Sequence, residues 1–509
     1  MKEFYYSKSK YVMFTECHRR LWLEKYKQEE KEESKNQTQL INGNMVGDLA
    51  MQLFGDYYLA ETEDNDIPQM IKNTQDALLR KEKVICEAAF SYNGCYCAVD
   101  ILKLEDDNTY SINEVKSSTK VKPSYLKDLA YQYYVLTNLG LNITKTNLIY
   151  VNNKYVFKEK LNLNEYFIIE DLTSKIVNLE LKYVKQNLEL SNAYLNDEEN
   201  IPIVPMTNKC EEYGGCPFKK YCCKIKGIPQ SNSVLELYSC KEKYDYVNKN
   251  IIDFEQLISN GIILTEQQKR QVEFALFKNE EDYYINKENI SIFLEKLKYP
   301  LYFFDFESYQ AVIPNLEGTK PYQQIPFQYS LHILHENGKL EHKEFIGNGK
   351  DDPRFNLINH MVNDLNESGS IIAYNISFEK TRIKELGIFA PQYSEKLNAL
   401  LIRFIDLADI FKKGYLYNKS MGGSFSIKSV LPALFPNDVD LNYKNLEQVH
   451  KGDEASKIYL ELANMESDDY NKTVNNLLAY CKLDTYAMVK IYEKILGLIK
   501  WYVISKVEK

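Results

Sequence analysis

The stretch Tyr302-Phe303-Phe304-Asp305-Phe306-Glu307 combines an apolar strand pattern with two acids. Side chains two residues apart in a strand lie on the same face of a sheet, so Asp305 and Glu307 are expected to point the same way. Burying two like charges among aromatic neighbours is costly unless a cation lies between them. An edge strand with both acids in solvent is the alternative, and the flanking aromatic residues disfavour it. The stretch therefore predicts a strand that carries a metal site.

Two further segments place carboxylates at ordered positions. Residues 371–374 read as a strand, after which Asn375-Ile376-Ser377-Phe378-Glu379 opens a helix. Later in the chain, Tyr480 and Asp484 are four residues apart in a predicted helix at 468–499, so they share a helix face. That pair alone is weak evidence, because many helices carry one.

Together, these three segments resemble the DEDD exonucleases of the RNase H-like fold, in the subgroup that uses a tyrosine (DEDDy). The metal ligands that the resemblance implies are Asp305, Glu307, Glu379 and Asp484. It also implies two Mg²⁺ or Mn²⁺ ions, which act on a phosphodiester, and a water oriented by Tyr480. Most members have Asp at the position of Glu379, so Asp406 or Asp409 is an alternative ligand.

A second carboxylate set lies earlier in the chain. The segments that read as regular elements are helices at 11–26, 43–54, 125–139 and 175–190, and strands at 84–90, 96–104, 109–116 and 147–151. Asp100 lies in one strand and Glu114 in the next, with Lys116 two residues on. Glu114 and Lys116 should share a face, with Val115 on the opposite, buried face. Two carboxylates there suit Mg²⁺ or Mn²⁺, and the lysine suits a phosphate.

With Gln132, this pattern resembles the PD-(D/E)XK nuclease superfamily, in the RecB-like branch that carries an iron–sulfur cluster and includes AddB-type and CRISPR-associated nucleases. The resemblance implies a restriction-endonuclease-like core. The residues it implies for metal binding and catalysis are Asp100, Glu114, Lys116 and Gln132. The Q-x-x-Y element of the branch is matched only partly, as QYYV at 132–135. A metal-binding His is often found in this branch where the present chain has Gly47, so Asp48 or Glu87 is an alternative ligand.

Four cysteines flank this part of the chain. They are Cys17, Cys210, Cys216 and Cys222. One cysteine upstream and three downstream of the core is the arrangement of the same branch, so the resemblance implies a [4Fe–4S] cluster with four thiolate ligands. Zinc is the alternative, because four thiolates also suit a tetrahedral zinc site, and Cys223 is an alternative to Cys222. The other cysteines are expected to be small packed residues.

A wider resemblance spans most of the chain. Residues 321–332, 352–354 and 423–428 resemble a bacterial family of unassigned function in which the two nuclease-like domains are fused. The expected fold is α/β, with a cluster-bearing nuclease-like domain at 1–225, a helical connector at 226–295 and an exonuclease-like domain at 296–509. His332 and Lys428 are either phosphate contacts or ordinary packing and surface residues. The same two readings apply to the basic stretches 18–20, 116–122 and 219–220.

Length, charge and hydropathy set the outer bounds. A chain of 509 residues is too long for one core, so two or three domains are expected. No apolar run approaches the roughly 18 residues of a membrane span, and no secretory signal is visible at the start. The net charge of −9 does not exclude nucleic acid, because metal-binding carboxylates add negative charge and a local basic groove can coexist with them.

The sequence therefore predicts a cytoplasmic, metal-dependent nuclease with a 3′→5′ exonuclease in its C-terminal domain. DNA is favoured over RNA because the branch that the N-terminal part resembles mostly handles DNA. A 3′-trimming exonuclease of RNA is one alternative. A nucleic-acid-binding protein whose N-terminal centre is inactive is the other. No membrane partner is expected, and the oligomeric state is left open.

Overall fold

The structure is a computed structural model that describes residues 6–33, 37–277, 283–366, 368–449 and 451–507. The chain forms two compact units. The first consists of Met1–Gly227 and Ala311–Tyr322, and the second of Ile228–Gln310 and Gln323–Lys509. The segment Ala311–Tyr322 thus belongs to the first unit although the sequence places it within the expected exonuclease-like domain.

The first unit is a mixed α/β fold. Its strands are β1 (Tyr6–Ser7), β2 (Tyr58–Leu59), β3 (Val84–Tyr92), β4 (Cys95–Leu104), β5 (Tyr110–Lys116), β6 (Ile143–Val151) and β7 (Phe167–Asp171). Its helices are α1 (Lys8–Glu16), α2 (His18–Tyr26), α3 (Gln37–Met51), α4 (Ile67–Leu79), α5 (Pro123–Asn138), α6 (Leu163–Tyr166), α7 (Thr173–Lys175), α8 (Leu181–Leu195) and α9 (Lys219–Ile225). The four strands and the helix at 125–139 expected in this region are confirmed.

The sheet of the first unit contains a fork. Its strand order is β2-β3-β4-β5-β6-β7, and β1 pairs in parallel with β4 outside this path. β4 pairs with β1 at Cys95 and Tyr96, and with β5 only from Ile101 to Leu104. The two halves of β4 therefore have different neighbours. The strands β4 and β5 separate just where their acidic residues lie.

Local sequence explains the main turns of this unit. Asn93 and Gly94 join β3 to β4 with φ angles of 49° and 78°, as a tight hairpin with two positive φ values requires. Pro123 begins α5, where its missing N–H costs nothing. The helix expected at 11–26 is interrupted, because Cys17 adopts an extended conformation (φ −157°, ψ 108°) between α1 and α2.

The second unit is also α/β. Its strands are β8 (Tyr283–Ile285), β9 (Leu301–Gln310), β10 (Gln324–Leu334), β11 (Leu340–Ile346), β12 (Ser370–Ala373), β13 (Phe404–Asp406) and β14 (Leu416–Asn418). Its helices are α10 (Lys243–Asn248), α11 (Phe254–Ser259), α12 (Glu266–Leu276), α13 (Lys287–Leu294), α14 (Arg354–Asp364), α15 (Ser377–Phe389), α16 (Ser394–Leu401), α17 (Asp409–Lys412), α18 (Ile427–Leu434), α19 (Gly452–Glu461) and α20 (Ser467–Val507).

The main sheet of the second unit has the order β11-β10-β9-β12-β13. β10 is antiparallel to both β9 and β11, whereas β12 is parallel to both β9 and β13. If the five strands are numbered 1 to 5 in chain order from β9 to β13, their order in the sheet is 3-2-1-4-5. Only strand 2, which is β10, is antiparallel to the others. The central strand β9 is the stretch from which the sequence analysis began.

The segment expected to be a helical connector at 226–295 is part of the second unit. It is largely helical, but β8 pairs with β14, and Ile290 and Phe293 of α13 lie in the same hydrophobic core as Leu301 and Phe303 of β9. Burial of these apolar side chains ties the segment to the unit. Within the described part of the chain, no helix is long and apolar enough to cross a membrane.

Candidate metal centres and cysteine cluster

Strand β9 separates two hydrophobic cores and carries its acids on one face. Tyr302, Phe304 and Phe306 belong to the core on one side of the sheet. Asp305 and Glu307 point to the other side, where α20 packs on β9. Oxygen atoms of these two acids and the sulfur of Cys481 lie within 4.8 Å of one another. No other group of three or more such ligands is this compact in the part of the chain that the structure describes.

Glu379 joins these acids from the first turn of α15. It is 3% exposed, and its Oε2 atom has no hydrogen-bond partner among the described residues. The chain turns from β12 into α15 at Asn375, which has a φ of 69°, and the Asn375 N–H donates to Asp406 Oδ1 at 2.9 Å. An unpartnered buried carboxylate oxygen is costly, so Glu379 is suited to be the ligand of a cation.

Asp484 faces the same site from α20. It accepts a hydrogen bond of 2.5 Å from the Tyr443 hydroxyl and a second one from Tyr480. The rings of the two tyrosines lie 6.1 Å apart. Tyr443 was not identified from the sequence, since it stands outside every motif. The site is narrow near α19, because a Cβ atom on Gly452 would lie 3.4 Å from Glu307 Oε2.

The electrostatics show that the four carboxylates lie close together. Burial raises the pKa of Asp305 well above its usual value, and Asp484, Glu307 and Glu379 raise it further. Burial, and then Asp484, raise the pKa of Glu307 to about 8. Burial likewise raises the pKa of Glu379 to about 7 and that of Asp484 to about 6. Four buried acids with raised pKa values that come together from a strand and two helices are a donor set for divalent cations.

The structure corrects several alternatives around this second-unit site, which we call the second centre. The carboxylate of Asp406 accepts hydrogen bonds from the N–H groups of Asn375 and Ala408. It also forms an ion pair with Lys412 Nζ at 3.0 Å. Asp409 pairs with Lys413 on the surface. Asp406 thus supports the turn before Glu379, and Asp409 lies in a surface ion pair, so neither replaces Glu379. Asp305, Glu307, Glu379 and Asp484 are brought together as expected.

His332 is a packing residue rather than a phosphate contact. It is 3% exposed, and its Nδ1 atom lies 2.8 Å from the Thr485 hydroxyl. Burial lowers its pKa to about 3, so the ring is neutral. Lys428 is placed differently. Its charge lowers the pKa of both Glu307 and Asp484, so this side chain lies near the acids.

The first unit places its acids at the fork of its sheet, and we call this site the first centre. Asp100 lies where β4 leaves β5, and its Oδ2 atom accepts the Val115 N–H at 2.7 Å. Glu87 lies at an irregularity of β3 with a φ of 52°, and burial, followed by Asp100, raises its pKa to about 8. Asp48, the other alternative ligand, is exposed on α3. Glu87 is therefore the alternative that the fold supports.

Glu114, 1% exposed, lies at the centre of an ion-pair network. Lys116 Nζ lies 2.5 Å from Glu114 Oε1 and 3.0 Å from Asp128 Oδ2. Gln132 donates to Glu114 Oε2 at 2.6 Å and to Asp128 Oδ1 at 3.0 Å. Burial raises the pKa of Glu114, but the charges of Lys116 and Lys8 outweigh it and hold the pKa well below the usual range.

Asp128 and Lys8 were not identified from the sequence. Asp128 precedes Gln132 by one helical turn of α5, so the shared helix face was a readable signal. Lys8 follows β1 directly and contacts both Asp100 and Glu114. It carried no signal in the sequence, because its place depends on the pairing of β1 with β4.

Cys17, Cys210, Cys216 and Cys222 are gathered by the fold of the first unit. All ten cysteines are free thiols. Burial raises the pKa of the thiols of Cys210, Cys216 and Cys222, and Cys17 adds to the shift at each. Gly214 and Gly215, with φ angles of 88° and 91°, turn the chain so that Cys216 N–H donates to the Cys210 carbonyl at 2.9 Å.

Two details refine this cysteine cluster. The charges that affect the pKa of the Cys223 thiol are those of Cys210, Lys219 and two acids, and Cys17 is not among them. Cys17 does affect the pKa of Cys222, so Cys222 fits the cluster better. Among the described residues, no three of the thiols lie within 4.8 Å of one another. A tetrahedral zinc ion with bonds of about 2.3 Å would hold its sulfurs about 3.8 Å apart. The spacing is wider than a zinc tetrahedron requires.

Two basic residues near this cluster, Arg19 and Lys219, have structural partners. Arg19 is 5% exposed and donates to the carbonyls of Pro202 and Val204. Lys219 pairs with Glu211 at 2.6 Å. Arg19 is therefore a structural residue and not a phosphate contact.

The chain is similar to proteins without a known function. A family model described as a domain of unknown function (DUF2779) matches residues 302–426, which cover β9 to the loop before α18. An uncharacterised protein of Mycoplasma genitalium, MG366, is 30% identical over 40% of this chain and 33% of its own length. The uncharacterised protein UU173 of Ureaplasma parvum is 30% identical over 55% of this chain and 40% of its own. The matching part of the chain thus spans well under half of these curated relatives.

Proposed function

We propose that the chain is a divalent-metal-dependent nuclease whose second unit is a 3′→5′ exonuclease. The observation that carries the proposal is the convergence of Asp305, Glu307, Glu379 and Asp484 from one strand and two helices, close enough for the other three acids to raise the pKa of Asp305. The strand order 3-2-1-4-5 with a single antiparallel strand supports it, since an RNase H-like domain has this arrangement.

Each side chain of the second centre would have its own role in phosphodiester hydrolysis. Two bound Mg²⁺ or Mn²⁺ ions would supply charge to the reacting phosphate and lower the pKa of water. Asp305 and Glu307 would hold the ions from the sheet, and Glu379 and Asp484 from the helices. Tyr480, hydrogen-bonded to Asp484, would orient the attacking water. Lys428, near Glu307 and Asp484, is suited to the phosphate of the strand.

We propose DNA as the substrate and place the activity in the cytoplasm, with RNA as the alternative that the same assay tests. The resemblance of the first unit to a branch that mostly handles DNA favours this choice. For the cysteine cluster we propose a [4Fe–4S] centre held by Cys17, Cys210, Cys216 and Cys222. The influence of Cys17 on the pKa of the other three thiols supports it, since it places the four cysteines near one another and four thiolates are the usual ligands of such a cluster.

The test is a nuclease assay of the full chain with Mg²⁺ or Mn²⁺, on single strands of DNA and RNA labelled at the 5′ end. The expected result is stepwise shortening from the 3′ end, and a blocked 3′ end should stop it. Asp305→Asn should reduce the rate by several orders of magnitude, because it removes a ligand on the reacting side of the sheet.

Asp409→Asn is the matched control. It removes one carboxylate from the same unit, but that carboxylate pairs with Lys413 on the surface, so the rate should not change. Digestion that ignores the 3′ block, or normal digestion by Asp305→Asn, would contradict the proposal. Digestion of RNA but not DNA would keep the enzyme class and replace the substrate.

A further inference from the structure

Lys8 stands where a cation would be bound in the first centre. Its Nζ atom lies 3.0 Å from Asp100 Oδ1 and 3.0 Å from Glu114 Oε2. β1 pairs with the first half of β4 and β5 with the second half, so the residue after β1 enters the gap between the parted strands. The place of Lys8 is thus set by the backbone pairing of β1.

Every carboxylate oxygen of Asp100 and Glu114 accepts a hydrogen bond. Glu114 Oε1 accepts from Lys116 and Lys8, and Oε2 accepts from Lys8 and Gln132. Asp100 Oδ1 accepts from Lys8 and Oδ2 from the Val115 N–H. Neither carboxylate has an oxygen without a donor. This contrasts with the second centre, where Glu379 Oε2 is buried without a partner among the described residues.

Two ammonium groups partly offset the acids of the first centre. Lys8 and Lys116 pair with Asp100, Glu114 and Asp128, and Glu87 lies near enough for Asp100 and Lys8 to affect its pKa. A Mg²⁺ ion binds oxygens at about 2.0–2.1 Å and would need the same oxygens of Asp100 and Glu114. The ammonium group and the ion therefore compete for one position, and like charges that close repel strongly.

We propose that Lys8 is the resident cation of the first centre, and that a divalent ion binds there only when the Lys8 side chain withdraws. This deepens the proposed function, on which it rests for the pairing of Asp100 with Glu114 as ligands. The two centres then differ in kind. The second requires ions, whereas in the first Lys8 takes the place of one.

The test measures Mn²⁺ binding to the full chain by electron paramagnetic resonance of the free ion. Asp305→Asn serves as the background, because it weakens the second centre. In this background the first centre should bind Mn²⁺ weakly. Adding Lys8→Met, which keeps the length of the side chain and removes its charge, should tighten binding by at least about tenfold. Lys103→Met is the matched control, since Lys103 lies on β4 as Asp100 does but pairs with Glu105, and this substitution should leave Mn²⁺ binding unchanged.

A second measurement needs no variant and so does not depend on the folding of Lys8→Met. Acetylation of the wild-type chain, followed by mass spectrometry, reports the reactivity of Lys8 relative to Lys103. Mn²⁺ at a concentration that just saturates the second centre should leave this ratio unchanged, because the ion does not displace Lys8 at that concentration. A ratio that already rises there would overturn the inference.

The outcomes separate this inference from the proposed function. Tight Mn²⁺ binding by Asp305→Asn with Lys8 in place would overturn the inference, and so would a folded Lys8→Met variant with no gain in affinity. Neither result would change what the exonuclease assay shows about the proposed function. Loss of the proposed function would appear instead as a wild-type chain that digests no nucleic acid, whatever the effect of Lys8→Met on Mn²⁺ binding.

Discussion

Replacing Asp484 with asparagine should make the ion-free protein more stable and the ion-loaded protein inactive. Asp484 is one of four acids that face one another, and it raises the pKa of both Asp305 and Glu307. Asparagine keeps the shape of the side chain and still accepts the hydrogen bond from Tyr443. Only the charge is removed, so the repulsion among the remaining acids should fall.

The magnitude follows from the pKa of Asp484, which burial raises from 3.8 to about 6 in the folded protein. A carboxyl group with a raised folded pKa binds its proton more tightly when folded, so wild-type stability falls as pH rises from about 4 to about 6. The loss amounts to at most about 3 kcal/mol, at about 1.36 kcal/mol per pKa unit. The variant lacks this loss and should melt roughly 6–12 °C higher at pH 8.

Calorimetry in EDTA at pH 4 and pH 8, and again with Mn²⁺, provides the assay. The difference between the variant and the wild type should be small at pH 4 and full at pH 8. Mn²⁺ at a hundred times its Kd should add about 2.7 kcal/mol per site to the wild type and much less to Asp484→Asn. Asp409→Asn should behave as the wild type throughout. An Asp484→Asn protein that melts below the wild type at pH 8, and gains as much from Mn²⁺, would refute the reasoning.

Three further predictions address single side chains. Tyr480→Phe should slow digestion by about tenfold to a hundredfold in a rate assay, far less than Asp305→Asn, because only a water-orienting hydroxyl is lost. Tyr443→Phe should weaken Mn²⁺ binding in a titration while leaving the digestion rate at saturating ion close to normal, since it removes a hydrogen bond to Asp484 and no ligand. Cys216→Ser should remove the brown colour of protein purified without oxygen and lower the unfolding temperature of the first unit, whereas Cys240→Ser should leave both unchanged.

Much of the fold was readable from local patterns. The long strands β3 to β6, the central strand β9 and the helix with Gln132 were predicted because alternating and helical periodicities depend on near neighbours in the chain. The helix expected at 11–26 was wrong in one respect, since its break at Cys17 serves contacts with residues two hundred positions away. The connector expected at 226–295 was misjudged for the same reason, because the strand partner of β8 is β14.

The acids of the second centre were found from sequence because each lies at a fixed position within its own element. Tyr443 and Lys8 were missed, since neither belongs to a motif, and their places depend on long-range packing. His332 was ambiguous in the sequence, and its burial beside Thr485 decides the matter.

The sequence by itself determined which residue types stand on which strand or helix face, because those relations follow from the periods of the two elements. It therefore showed that Asp305 shares a strand face with Glu307, and Glu114 with Lys116. Only the tertiary structure decided which faces meet and what fills the space between them. At the second centre the meeting faces leave a buried Glu379 oxygen without a partner among the described residues. At the first, pairing of β1 with β4 brings Lys8 between the acids, and that depends on strand pairing far apart in sequence.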